Sequence, residues 1–92
     1  MSHTEHWMQR LTEGMALYGE SLPGVPVVEI AGGSRVLIER HAGVIEYGKE
    51  QIQVQVGYGR ILVRGVGLRL TRMTREQVII AGLIQSVELQ RR

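Results

Sequence analysis

The sequence contains no cysteine, no phenylalanine, no aspartate and no asparagine, and it has a single lysine, Lys49. Without cysteine there are no disulfides and no thiolate metal sites, and thiol usage says nothing of the redox compartment. Without phenylalanine, packing falls to Val, Ile and Leu. The lack of Asn and Cys is compatible with a hot-living source. The bias of Arg over Lys is read first as the codon usage of a GC-rich genome. No apolar run approaches the roughly 18 residues that cross a bilayer. The opening MSHTEHWMQR lacks the basic region followed by an apolar stretch that marks a secretory signal. A soluble cytoplasmic protein is the expectation.

What is present is short and strand-like. The chain has 92 residues, enough for one domain with a marginal core, and 43% of them are hydrophobic. Ten arginines and Lys49 against nine glutamates leave a net charge of +2, too slight to dictate a partner. The run Gln51–Val56 reads QIQVQV. Ile52, Val54 and Val56 alternate with three glutamines, a period of two that makes a strand with one apolar and one polar face.

The same alternation recurs from Val27 to Leu89, divided by glycine. Val27–Ala31 and Arg35–His41 flank a Gly32-Gly33 hairpin turn. Val44–Tyr47 and Gln51–Val56 flank Gly48-Lys49-Glu50. Arg60–Arg64 follows Gly57-Tyr58-Gly59. Gly65-Val66-Gly67 reads as a bulge or sharp bend before Leu68–Arg72. Val78–Ala81 and Leu83–Leu89, separated by Gly82, close the chain. These gaps are too short for the crossovers of a parallel sheet.

The expected fold is therefore mainly β. It is a small antiparallel β-sandwich, or a curled sheet approaching a barrel, of about seven short strands. Stacked, solenoid-like β structure is the alternative. Ahead of it, Thr4–Tyr18 reads as an amphipathic helix with Trp7, Leu11, Met15 and Tyr18 on one face. Pro23, Gly24 and Pro26 mark a linker. The expected division is residues 1–22 as helix and linker and 23–92 as one β domain.

Candidate chemistry is sparse. His3 and His6 have a spacing that could share a metal on a helix, but a solvated terminus accounts for them. Glu39 and His41 stand two apart on one predicted strand and so share a face, where a Glu–His pair can do acid–base work given a third group. A surface Glu–His contact near a turn is the first reading of that pair, ahead of acid–base chemistry. Gly57-Tyr58-Gly59 and Gly65-Val66-Gly67 lack the following helix that a phosphate loop needs. Arg60, Arg64 and Arg69, taken as lying on adjacent strands, would form a basic strip for an anionic membrane, an acidic protein or nucleic acid. Nucleic acid ranks low, because no aromatic-rich strand accompanies the strip. No catalytic residue, metal site or cofactor is expected. The face of Trp7, Leu11 and Met15 would lie over the sheet or recruit a partner.

The order and spacing of PVVEIAGGSRVLIERHAGVIEYGKEQIQVQVGYGRILVRGVGLRL, followed by REQVIIAGLIQSVEL, resembles the YabP/YqfC family of sporulation proteins, and within it the YqfC branch. The resemblance covers about two-thirds of the chain. It departs from the family pattern at Arg40 and Ala42 and in the Gly57-Tyr58-Gly59 turn. It implies a noncatalytic protein of the mother cell of an endospore-forming bacterium. It also implies a link to a membrane-bound sporulation partner; the expected role is an adaptor or scaffold that contacts such a partner or a coat component at the membrane around the forespore. Homo-oligomerisation fits the same picture. Gly43, Gly65 and Gly82 carry over as structural positions.

Overall fold

The computed structural model describes residues 25–92. They form six antiparallel strands: β1 Val27–Ala31, β2 Arg35–Glu39, β3 Gly43–Tyr47, β4 Gln51–Val56, β5 Gly59–Met73 and β6 Gln77–Arg91. All six belong to one sheet in the order β1-β2-β6-β5-β4-β3. The mainly β, antiparallel expectation is met. The expected helix over Thr4–Tyr18 lies outside the described residues. Among the described residues no helix is long and apolar enough to cross a membrane.

Fewer strands form than the glycine punctuation predicts, because two of the expected breaks lie inside strands. Arg60–Arg64 and Leu68–Arg72 are two limbs of β5, and Val78–Ala81 and Leu83–Leu89 are two limbs of β6. The pairing register slips between Arg64 and Gly65 and again between Val66 and Arg69, so the ladder continues through bulges at Gly65-Val66-Gly67. Bulges add twist and bend a strand without ending it. At the kink the two strands approach closely. A Cβ built on Gly65 would lie 2.0 Å from the Leu83 carbonyl oxygen, and one on Gly82 would lie 2.8 Å from the Gly67 carbonyl oxygen. Gly82 also has φ 141°. Only residues without a side chain allow this crossing.

The kink divides the sheet into two limbs. β2 pairs with the first half of β6, and β1 pairs with β2 outside it. β3 and β4 pair outward from the first half of β5. Val36, Ile38, Val78 and Ile80 from one limb and Ile52, Val54, Val56, Ile61 and Val63 from the other make one buried cluster, with Leu68 at the bend. β2 and β4 are three strand spacings apart, about 14 Å in a flat sheet. The sheet therefore curls so that its apolar face closes on itself. Turns staple the limbs. Gly82 N–H donates to the Ser34 carbonyl at 3.1 Å, Ile84 N–H to Gly33 at 2.8 Å, Gly65 N–H to Glu50 at 3.0 Å and Leu68 N–H to Lys49 at 2.7 Å. No polar or charged residue is buried among the described residues.

Candidate interaction surface

The alternation of β4 places Gln51, Gln53 and Gln55 on the outer face, opposite Arg64, Leu62 and Arg60 of β5. The side chains there bind one another. Arg64 Nε donates to Gln51 Oε1 at 3.1 Å and Arg60 Nη1 to Gln53 Oε1 at 3.0 Å. The two glutamines donate in turn to Glu46 Oε1 on β3, at 2.6 Å from Gln51 and 2.8 Å from Gln53. These amide donors, Gln51 first and then Gln53, hold the Glu46 carboxyl below its ordinary pKa, because they favour the charged form. Leu62 faces the same side and is buried among these side chains.

The arginines predicted as one strip are distributed differently. Arg60, Arg64 and Arg69 are all on β5 and not on adjacent strands. Arg60 and Arg64 share the glutamine-lined face, while Arg69 lies beyond the kink opposite Ala81. Glu46 joins the network through the glutamines and no arginine reaches it directly, so the face is a mixed polar lattice and not a run of bare positive charge. Trp7, Leu11 and Met15, and with them His3 and His6, lie outside the described residues.

Glu39 and His41 do not share a strand face, contrary to the spacing argument. β2 ends at Glu39, and Arg40 takes a left-handed φ of 60° that breaks the alternation. Arg40 is held there by its N–H to the Glu76 carbonyl at 2.7 Å and its Nη1 to the Val25 carbonyl at 3.2 Å. His41 is a clip. Gly43, at φ 128°, donates its N–H to His41 Nδ1 at 2.9 Å, so the proton sits on Nε2, which donates to the Thr74 carbonyl at 2.7 Å. The ring ties the β2–β3 crossing to the β5–β6 turn.

The sheet edges were not legible as such in the sequence. β1 is five residues long and begins just after Pro26, and β3 carries a bulge between Val44 and Glu46. The free side of the second half of β5 is occupied by the Lys49 carbonyl at Leu68 N–H and by Tyr47 Oη, which accepts from Leu70 N–H at 3.2 Å. The second half of β6 is different. Beyond Ile84 it pairs only with β5 among the described residues, and the ladder runs in register from Ser86 to Arg91. Tyr58 and Arg92 are a bonded pair in that ladder, so by alternation the backbone groups of Val87, Leu89 and Arg91 point away from β5. Leu83 and Leu89 are 61% and 54% exposed. A long unpaired edge with exposed leucines is a template for a further strand.

These features define a small, mainly β protein whose conspicuous surfaces, among the described residues, are a strand edge and a polar sheet face. Residues 25–92, the same span that folds into the sheet, match the YabP family model. The chain belongs to the YabP family, which is sporulation-associated, and its role is sporulation-related. No curated protein and no solved structure matches the chain.

Proposed function

We propose that this protein is a noncatalytic adaptor or scaffold of sporulation, made in the mother cell and working through protein contacts with a membrane-bound sporulation partner or a coat component. The observation that carries this reading is the open edge of β6. Among the described residues it offers unpaired backbone donors and acceptors at Val87, Leu89 and Arg91, beside the exposed Leu89, with Leu83 exposed just before the edge opens. The rigid curled sheet holds that edge in place, and the Trp7, Leu11 and Met15 segment and Arg60, Arg64 and Arg69 would supply further contacts. A second copy would use the same edge, which is how homo-oligomers enter the proposal.

The nucleic-acid reading is weaker. Tyr58 already carries the Arg91 guanidinium 4.7 Å from its ring centroid, and the Tyr47 hydroxyl is engaged by Leu70, so neither is a ready stacking platform for bases beside Arg60 and Arg64.

The test is affinity capture of tagged protein from sporulating cells, comparing wild type with Leu83→Lys/Leu89→Lys. Recovery of a membrane or coat protein that the edge variant loses supports the reading. Recovery of neither, together with normal spores from a deletion strain, refutes it.

A further inference from the structure

At the end of the sheet where β5 begins and β6 finishes, the outer face holds a cavity of about 390 Å³. The register makes it. Gln55 is opposite Arg60 and Arg60 is opposite Gln90, so these three form one cross-strand row on the same side of the pleat. Arg91 and Arg92 follow at the end of β6 and line the same cavity. Ile45, the residue left over in the β3 bulge, supplies the apolar part of the wall and is 51% exposed. A bulge re-aims a side chain in this way.

Arg60 faces this space from the row it shares with Gln55 and Gln90, Arg91 and Arg92 border it at the end of β6, and among the described residues no Asp or Glu side chain lines it. Each arginine is positioned by a neutral partner: Arg60 by Gln53 Oε1, Arg91 by the ring of Tyr58, and Arg92 by the Gly57 carbonyl. Those contacts orient the groups without pairing them directly to a carboxylate among the described residues, and they leave most of the five donors of each unused. Planar donor forks of this kind match the oxygens of phosphate, often two at a time.

We propose that this cavity binds a phosphate group, and that the source is the head group of an anionic lipid. Ile45 decides between sources: an exposed aliphatic side chain beside a basic pocket suits an interface where the charge meets phosphate and the apolar group enters the acyl boundary. The volume lies within the range of small-ligand sites. This goes beyond the adaptor reading and does not depend on it, since capture of a protein partner and binding of lipid are separate measurements.

The experiment uses the full chain in two arms. One is co-flotation with vesicles of phosphatidylcholine alone or mixed with phosphatidylglycerol. The other is titration with inorganic phosphate, followed by NMR of the arginine side chains. Wild type is expected to float with the phosphatidylglycerol vesicles only, and to release as salt rises. Arg60→Gln/Arg91→Gln is expected to lose about thirtyfold in vesicle affinity, as removal of two surface-facing cations predicts. Arg72→Gln/Arg75→Gln removes the same charge from the other limb and is expected to lose much less. Ile45→Ser is expected to weaken vesicle binding while leaving the phosphate response of Arg60 and Arg91 intact. Thermal melts verify that each variant is folded. A phosphate response at these arginines without flotation supports the site and assigns it a soluble phosphate compound. Equal losses in the two double variants, no binding in either arm, or binding of an oligoribonucleotide alone overturns the proposal.

Discussion

The kink of the β5–β6 ribbon can be tested with a single methyl group. Alanine at Gly65 would place its Cβ 2.0 Å from the Leu83 carbonyl oxygen and 2.9 Å from Leu68 Cδ2. Cβ atoms in real proteins essentially never come within 3.0 Å of such an atom, so the two strands must part by about 1 Å. Parting them weakens the flanking ladder bonds, at about 0.5–1.5 kcal/mol each. It also overpacks the buried bend at Leu68, which adds about 1–3 kcal/mol. The expected destabilisation is about 3–4 kcal/mol, a large share of the roughly 5–14 kcal/mol typical of a chain this size.

Two other glycines separate the steric cause from backbone preference. Gly67 has φ 62° with nothing near its Cβ position, so Gly67→Ala should cost only the left-handed conformation, about 1–2 kcal/mol. Gly57 has neither a positive φ nor a close neighbour, so Gly57→Ala should be neutral or stabilise by up to about 1 kcal/mol. Urea unfolding of the three variants should therefore rank Gly65→Ala well below Gly67→Ala, with Gly57→Ala near wild type. If Gly65→Ala unfolds at the same urea concentration as Gly57→Ala, the close crossing at the kink is not what the fold depends on.

Other substitutions probe the remaining contacts. His41→Ala removes both bonds of the clip and should cost about 1–3 kcal/mol; hydrogen exchange should quicken at the Gly43 amide, and an unchanged rate would dismiss the clip. The Glu29 carboxyl is held above its ordinary pKa by burial first and by the neighbouring Glu39 second. Its protonated form is thus favoured by folding, so its contribution falls as pH rises from the unfolded value through the raised folded one. Glu29→Gln should stabilise the protein at neutral pH and have little effect well below pH 4.5; a loss of stability at neutral pH would contradict the assignment. Glu46 works in the opposite sense. Its depressed pKa adds stability that is present above the unfolded value and lost as pH falls through the folded one, so acid titration of Glu46→Gln should lack that component of the wild-type profile.

Much of the sheet is legible in sequence because side-chain alternation is local. QIQVQV appears as β4 with Ile52, Val54 and Val56 buried. The Gly32-Gly33 turn lies where composition put it, with φ of 58° and 69°. The pattern failed where the same residue type serves two ends. Glycine at 57 is in a turn, whereas glycine at 65 and 82 lets a continuing strand cross its neighbour. Composition cannot separate these, since both need the absence of Cβ. The Glu39–His41 pairing failed because alternation presumes extended backbone, and Arg40 departs from it under contacts to Glu76 and Val25, both remote in sequence. Arg91 and Arg92 are separated from Arg60 by about thirty residues, so no local pattern groups them with it. Their partners, Tyr58 and Gly57, come from the other end of a long hairpin.

The sequence by itself determined the strand character, the antiparallel connections and the polar or apolar sense of each face, because each depends on neighbours within a few residues. Tertiary structure alone decided which strands stand beside which, that β6 has an open edge among the described residues, and that three arginines border one cavity. Those outcomes depend on pairing and curvature between segments far apart in the chain, and no local pattern encodes the distance between them.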